Sequence, residues 1–383
     1  MPFEIKFENV PVGYAVTSGH AGEKVTLCST GFVSSEDGIE LITKLEGLPQ
    51  QILSMLPLPA PVRPSLVDSL LAVIRRDKTA TVYVNEVQLI GQARLKGPCK
   101  KGEAFTADRI LDMGPMRFRD VDIPSDAAIV YVFSVGWRKG FFFDLGSLQG
   151  ANAGPRNYDL EEQIGNLYAY LTFQERFRID DITWRTLFAQ KWFPFAYLDG
   201  AILRAMVSHA REGWMVDELL PKIAANVNRL VNETPLTEIA DPAFADHTEL
   251  LARAQDRYLA GDHISCTSIL YPRIEGLLRS FHRAAGYTSE PSAKTLSKVA
   301  VAHHEADRIS QSLLLPARFN EYLDTVYFAH FAPGSAPDVN RHSVAHGEAR
   351  SGDFSLKSAT IGFLVIYQLF SFFSSGKRPN QRG

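Results

Sequence analysis

Several features that would mark a secreted, metal-binding or strongly basic protein are scarce in this 383-residue chain. Its three cysteines, Cys28, Cys99 and Cys266, are odd in number and share no metal-ligand spacing, which predicts reduced thiols in a cytoplasmic protein. Charged residues interrupt the first ten positions, so no secretory signal is expected. The formal net charge of -3 excludes a globally basic nucleic-acid-binding protein but permits a local basic groove.

Internal repeats and low-complexity tracts are also missing, and the remaining composition is that of a folded protein. Hydrophobic residues make up 45% of the chain and charged residues 22%, which argues against intrinsic disorder. A chain of this length exceeds the size of most single cores, so more than one domain is expected. We predict a strand-rich α+β domain at 1–150, a helical segment at 151–240 and a helical bundle at 241–383.

The N-terminal 150 residues are predicted to form strands and one helix. Runs rich in β-branched and aromatic residues predict strands at 3–7, 24–32, 79–95 and 127–135. The segment 64–76 is predicted as the helix, because its apolar residues share one helical face. Two apolar runs within 131–145 predict a hairpin. Alternatively, its tip at 137–139, Trp-Arg-Lys, contacts RNA by stacking and charge.

The rest of the chain has helical periodicity. Residues 146–155 are rich in Gly, Asn and Pro and predict a linker, after which Asp159 and Asp180 are placed to cap two helices. Further on, helices are predicted at 247–259 and 264–282, joined by a turn at Gly261 and Asp262.

The segment 360–373 carries no charge and could be a membrane anchor or a buried helix. As a helix it spans about 21 Å, which is shorter than the roughly 30 Å hydrocarbon core of a bilayer. It also contains Gln368. We therefore expect a core or dimer-interface helix and no membrane association.

Arginine and histidine occur together in ways that suggest chemistry on phosphate groups. Three Arg–His pairs are separated by four to six residues: Arg204 and His209, Arg257 and His263, and Arg341 and His346. About two such pairs are expected by chance, so the surrounding sequence has to show which pair belongs to a functional site. The first falls on different sides of a predicted helix and the second straddles a predicted turn. The third follows a break rich in Pro and Gly and belongs to the C-terminal part, where most histidines occur.

The C-terminal part resembles the bacterial HEPN superfamily. The resemblance lies in two antiparallel helices, the second carrying SILYPRIEGLLRSFHRAAG, then the stretch NRHSVAHG at 340–347 and a final apolar helix. The signature of that superfamily is an Arg, a polar residue, a few more positions and a His, here Arg341, His342 and His346. The resemblance covers residues 245–375 and implies an all-α, HEPN-like helical bundle behind the α+β part.

What the resemblance implies is a metal-independent endoribonuclease that works as a homodimer through its C-terminal helices, in a bacterial toxin or antiphage defence system. RNA is the expected partner, no cofactor is expected, and an antitoxin or other regulatory protein is a further expected partner. Arg341 and His346 are the expected catalytic residues, and Asn340, His342 and Glu275 are expected to bind the substrate. The protein is expected in the cytoplasm.

The residue types suit that reaction on physical grounds. Arg341 keeps its charge and offers a planar set of N–H donors for the scissile phosphate. His346 has an ordinary pKa near ~6.5, which suits proton transfer at the 2'-hydroxyl or the leaving 5'-oxygen. A two-fold dimer duplicates both groups, so two imidazoles can divide the acid and base roles.

Other functions stay open at this level. A catalytically inactive HEPN module would use the same bundle for nucleotide binding, sensing or protein association, with Arg341 holding a ligand phosphate. A third class of function is that of a structural scaffold built on the 360–373 helix. Glu275 and Arg279, four residues apart on a predicted helix, form either a surface ion pair or part of a helix that lines the cleft around Arg341.

Overall fold

The computed structural model describes residues 2–149, 154–236, 245–306, 311–329, 343–344 and 349–373. Its backbone forms two compact units. Unit 1 consists of Met1–Gln92 and Gly114–Thr172, and unit 2 consists of Ala93–Met113 and Phe173–Gly383.

The secondary structure of the described residues is mixed, as the predicted α+β class requires. The strands are β1 (Phe3–Lys6), β2 (Tyr14–Ala15), β3 (Leu27–Cys28), β4 (Thr30–Ser34), β5 (Ser69–Ile74), β6 (Thr79–Val84), β7 (Leu89–Leu95), β8 (Ile110–Phe118), β9 (Ala128–Val135) and β10 (Arg138–Asp144). The helices are α1 (Ile39–Leu45), α2 (Leu48–Ser54), α3 (Leu160–Thr172), α4 (Gln174–Phe177), α5 (Asp181–Ala189), α6 (Gly200–Arg211), α7 (Leu220–Glu233), α8 (Thr248–Leu259), α9 (His263–Ala284), α10 (Ala293–Ala306), α11 (Pro316–Tyr322) and α12 (Leu356–Phe373).

Unit 1 is built on an antiparallel sheet with the strand order β1-β6-β5-β9-β10-β4. Successive side chains of a strand point to opposite faces. In β9, Val130 and Val132 therefore pack in the apolar cluster that also contains α1 and α2, whereas Tyr131 and Phe133 pack in the cluster that contains α3. Because helices cover both faces, the central strands are apolar throughout.

The prediction of a helix at 64–76 is wrong. The structure has a short 3-10 turn at Pro64–Leu66, followed by β5, which pairs with β6 on one side and β9 on the other. Residues 70–74 of β5 are all buried. A short apolar run that is buried on both faces has no distinguishing periodicity, so the helical spacing of its leucines was coincidental.

The hairpin predicted within 131–145 is confirmed by the pairing of β9 with β10, which leaves Gly136 and Trp137 in the turn. The Trp137 side chain is 77% exposed. Arg138 and Lys139, however, begin β10 and bind backbone: the Arg138 guanidinium donates to Leu171 O at 2.9 Å, and the Lys139 ammonium donates to Val67 O. Both cations of the predicted RNA-contacting tip are therefore bound to backbone carbonyls.

The two units divide the chain differently from the three predicted segments. Helix α3 begins where Asp159 accepts hydrogen bonds from the Glu161 and Glu162 amides, as predicted, but it belongs to unit 1. A Cβ added at Gly165 would lie 2.2 Å from Gly114 O, which shows how closely α3 approaches β8. Unit 1 therefore extends past residue 150 to Thr172. The predicted linker at 146–155 lies partly outside the described residues.

Unit 2 has one large apolar core that joins the predicted middle segment to the predicted C-terminal bundle. Buried residues of α6, α7, α9 and α12 share this core, so no domain boundary separates them near residue 240. Helices α8 and α9 match the predicted pair closely, with Asp262 capping α9 through a hydrogen bond from Ser265 N. Helix α5 is capped by Asp180, as predicted.

Helix α12 is the central element of unit 2. All described side chains from Ser358 to Phe373 are buried, against α9 through the stacked rings of Phe281 and Phe373 and against α8 through Tyr258 and Thr360. By length and composition α12 could cross a membrane, although 89% of it is buried inside the protein.

Candidate functional site

The predicted catalytic stretch is only partly described by the structure. Asn340, Arg341, His342 and His346 lie outside the described residues. Ser343 and Val344, in the middle of the stretch, are helical; Ser343 is fully buried and Val344 packs against the core of unit 2. The amide of Ala349 donates to Ser343 O at 3.1 Å. The described part of the stretch is thus fixed to the helical core of unit 2.

Glu275, the remaining predicted site residue, lies on α9 with 9% of its surface exposed. Arg279, one turn later, donates to its carboxylate through Nε at 2.9 Å and also pairs with Glu290. The ion pair anticipated from the sequence is present, and its carboxylate is buried instead of lying on the surface. Glu275 is therefore held in a fixed position by a cation.

The two other Arg–His pairs do not form sites. Arg204 is exposed on α6, whereas the ring of His209 packs edge-on against Trp214. Arg257 pairs with Asp262 at 3.9 Å, at the turn before α9. His209 and Arg257 therefore contact residues other than their Arg–His partners.

Two buried histidines in unit 2 also have structural partners. The Nε2 atom of His247 lies 3.0 Å from Ser280 Oγ, and the ring sits over Gly276, where a Cβ would come within 2.9 Å of it. Burial, together with nearby Arg273, lowers the pKa of His247. His282 stacks on Tyr287 with the ring centres 4.8 Å apart. Both imidazoles pack within the fold.

In the part of the chain that the structure describes, no three His, Cys, Asp or Glu side chains form a group that could hold a metal ion. Arg341 and His346 are not among these described residues.

Unit 2 contains a cavity of about 370 Å³ that the sequence did not predict. Three tyrosines line it: Tyr271 from α9, Tyr322 from α11 and Tyr327 from the π-helical turn Leu323–Tyr327 that follows α11. Aliphatic side chains of α9 and α12, such as Ile274 and Ile361, complete its walls. Because these residues come from separate elements, no local motif could indicate the cavity. Short π-helical turns are frequent at functional sites.

The three tyrosines of the cavity wall are almost fully buried. The Tyr322 hydroxyl donates to Lys191 O at 3.0 Å, the Tyr271 hydroxyl to Ser358 O at 3.4 Å, and the Tyr327 hydroxyl to Tyr271 O. Burial raises the pKa of both Tyr271 and Tyr322 above the ordinary value for a phenol. The phenols of Tyr271 and Tyr322 are therefore neutral at physiological pH, and all three hydroxyls are occupied by backbone carbonyls.

Three charged residues line the cavity: Lys191, Asp353 and Lys357. The Lys357 ammonium lies 2.6 Å from Asp217 and over the ring of Trp192. The Asp353 carboxylate accepts one hydrogen bond, from Arg350 N to Oδ2 at 2.8 Å, and is only partly buried. Among the described residues this leaves Asp353 Oδ1 able to accept further hydrogen bonds.

Comparisons with protein-family models, with curated proteins and with solved structures found no match to this chain. The HEPN resemblance consequently rests on the motif and on the order of the helices.

Proposed function

We propose that this protein is a metal-independent endoribonuclease that acts as a homodimer, with Arg341 and His346 as its catalytic residues. The support comes mainly from one observation. Ser343, between the two residues, is fully buried, and Val344 beside it packs against the core of unit 2. A motif whose centre is anchored in a folded core has the rigid support that catalytic groups need.

Arg341 binds the scissile phosphate in this proposal. Its guanidinium cannot lose its proton at physiological pH, and its fork of N–H donors matches two phosphate oxygens. The same donors strengthen their interaction as negative charge builds up on the phosphorane oxygens in the transition state.

His346 transfers protons. A neutral imidazole accepts the proton of the ribose 2'-hydroxyl as its oxygen attacks the adjacent phosphorus, and a protonated imidazole donates to the 5'-oxygen as the P–O bond breaks. The products are a 2',3'-cyclic phosphate and a 5'-hydroxyl. In the homodimer the two copies of His346 divide these roles.

Asn340, His342 and Glu275 orient the RNA in the proposed site. Arg279 holds the Glu275 carboxylate in one position. An RNA-cutting activity of this kind fits a bacterial toxin or antiphage system in the cytoplasm, restrained by a regulatory partner such as an antitoxin.

The experiment that tests the proposal uses purified full-length protein and single-stranded RNA in the presence of EDTA. We expect cutting with cyclic phosphate ends, and loss of cutting in Arg341→Ala and in His346→Ala without a change in melting temperature. The matched controls are Arg257→Ala and His263→Ala, which remove the corresponding groups of a structural pair and should leave cutting intact. Undiminished cutting by both motif variants would overturn the proposal.

A second candidate is a module that binds a nucleotide without cutting RNA, and the cavity of unit 2 favours it. Ligand sites are typically concave and carry a few converging polar groups, and Asp353 and Lys357 line this cavity. Nucleotide binding by a wild-type protein that cuts none of a range of RNAs would select this candidate.

A further inference from the structure

We propose that a second cavity of unit 2, lined by Lys96 and Asn226, binds a small organic monocarboxylate. The cavity has a volume of about 690 Å³, within the range of about 300–1,000 Å³ found for ligand pockets. Its wall is formed by the segment that follows β7, the 3-10 turn Ala107–Arg109, the start of α6 and one face of α7. Binding at this cavity does not depend on RNA cutting.

Lys96 brings a positive charge to the cavity. Its ammonium donates to Leu198 O at 2.7 Å, and among the described residues no carboxylate forms an ion pair with it. Burial of the ammonium, followed by repulsion from Arg176, lowers the Lys96 pKa to about 8, so the amine still carries its proton at pH 7. Buried cations are normally paired, because a counter-ion offsets the free energy lost on leaving water. A ligand anion would supply that counter-ion and bind the N–H donors of Lys96 that Leu198 leaves unused.

Asn226 is a second buried polar group in the wall. It lies on α7 and is 6% exposed, yet its carboxamide forms no hydrogen bond with any residue that the structure describes. A buried amide without a hydrogen-bond partner is unfavourable. A ligand oxygen that accepts a hydrogen bond from Asn226 Nδ2 removes this cost. Lys96 and Asn226 thus favour the same kind of ligand group.

Contacts around Leu198 and Asp199 bring these side chains together. Lys96 binds the Leu198 carbonyl, and Arg229 Nη2 binds the two carboxylate oxygens of Asp199 at 2.7 and 2.9 Å. The charge of Arg229 also acts on Lys96. Asn226 precedes Arg229 by three residues on α7, which places their Cβ atoms about 5–6 Å apart on one face of the helix. The three side chains therefore border one small volume beside a single stretch of backbone.

The charges of the wall favour a ligand with one negative charge. Each arginine of the wall is already paired with a carboxylate: Arg229 with Asp199 and Arg109 with Glu103. Lys96 therefore supplies the positive charge for a ligand. Asp108 and Glu233 also line the cavity, and both are exposed. They would repel a dianion such as phosphate about twice as strongly as a monocarboxylate.

The cavity also has accessible apolar surface for the carbon part of the ligand. Pro98 and Ala201 line it, and both are exposed. A compact acid such as benzoate combines one anionic group with an apolar body and matches this arrangement.

Isothermal titration of the full-length protein at pH 7 with benzoate, benzamide and inorganic phosphate tests the proposal. Benzoate should bind most tightly. Benzamide has nearly the same shape without the charge, and it should bind at least about tenfold more weakly because a hydrogen bond between charged groups is lost. Phosphate should bind more weakly than benzoate, since Asp108 and Glu233 repel its second charge.

Two variants separate recognition from folding. Lys96→Met should weaken benzoate binding at least about tenfold. Asn226→Leu should weaken it roughly threefold or more without lowering the melting temperature, because the described protein loses no hydrogen bond. A purely structural role of Asn226 would instead lower the melting temperature and leave the benzoate affinity unchanged. Lys24→Met, at an exposed position of unit 1, is the control and should bind benzoate like the wild type.

Four results would overturn the monocarboxylate site. They are benzamide binding as tightly as benzoate, phosphate binding more tightly than benzoate, no benzoate binding at millimolar concentration, and Lys96→Met binding benzoate like the wild type.

Discussion

The side-chain carbonyl of Gln368 accepts a hydrogen bond of 2.9 Å from the backbone amide of Ala196 in the interior of unit 2. The amino group of the same side chain donates to Leu314 O, also at 2.9 Å, and Gln368 has no exposed surface. The one strongly polar side chain in the middle of α12 thus satisfies two buried backbone groups. Its position is specified by these hydrogen bonds as well as by apolar packing.

Replacing Gln368 by Leu should destabilise unit 2 by about 2–4 kcal/mol, because the Ala196 amide and the Leu314 carbonyl lose their buried partner. Urea unfolding followed by tryptophan fluorescence measures this, since Trp184, Trp192 and Trp214 belong to unit 2. Asn228→Leu, at an exposed position of α7, is the control and should unfold like the wild type. Equal midpoints for the three proteins would contradict the expectation.

Gly165→Ala should destabilise unit 1. The added methyl group would meet the Gly114 carbonyl at 2.2 Å, so α3 has to shift away from β8. We expect a cost of about 1–3 kcal/mol, since overpacking outweighs the better helix propensity of Ala. Hydrogen exchange in peptides from α3 and β8 should accelerate. Gly97→Ala, where a Cβ has open space, is the control, and unchanged exchange in Gly165→Ala would argue against the close approach.

Lys96 should make the stability of unit 2 rise with pH above about pH 8. Burial of the ammonium, followed by repulsion from Arg176, lowers the Lys96 pKa to about 8, although the amine donates to Leu198 O at 2.7 Å. Between this pKa and the ordinary lysine pKa near 10.5, the unfolded chain binds a proton that the folded protein has lost. Folding is therefore favoured as pH increases.

The Lys96→Met variant isolates this contribution, since other groups titrate in both proteins. The stability of wild type relative to Lys96→Met should increase between about pH 7.5 and about pH 10. Urea midpoints at the two pH values measure the change. A constant difference would show that the amine is solvated in the folded state.

The cysteines should differ in their reactivity with a thiol reagent. Cys99 is exposed, whereas Cys266 is fully buried and burial raises its pKa to about 12. Because the thiolate is the reactive form, Cys99 should react in the native protein and Cys266 only after unfolding. Cys99→Ser should remove the fast phase. Native labelling of Cys266 at the rate of Cys99 would contradict the packing of α9.

Features that depend on residues close together in sequence were predicted correctly more often than features that depend on distant contacts. Asp159 and Asp180 cap helices as expected, because a carboxylate and the amides two or three residues later suffice for that interaction. The prediction of a helix at 64–76 was wrong because β5 is buried on both faces. That burial depends on α1, α2 and α3, which are separate elements of the chain.

The sequence alone determined the α+β composition, the α8–α9 pair, the β9–β10 hairpin and the Arg341–His346 motif, because these are encoded by short-range spacing. Only the tertiary structure decided that α3 belongs with the sheet and that α7 and α12 share one core. It also decided that Tyr271, Tyr322 and Asp353 line one cavity. Those relationships join residues from distant elements, and they form only when apolar faces of several helices are buried against each other.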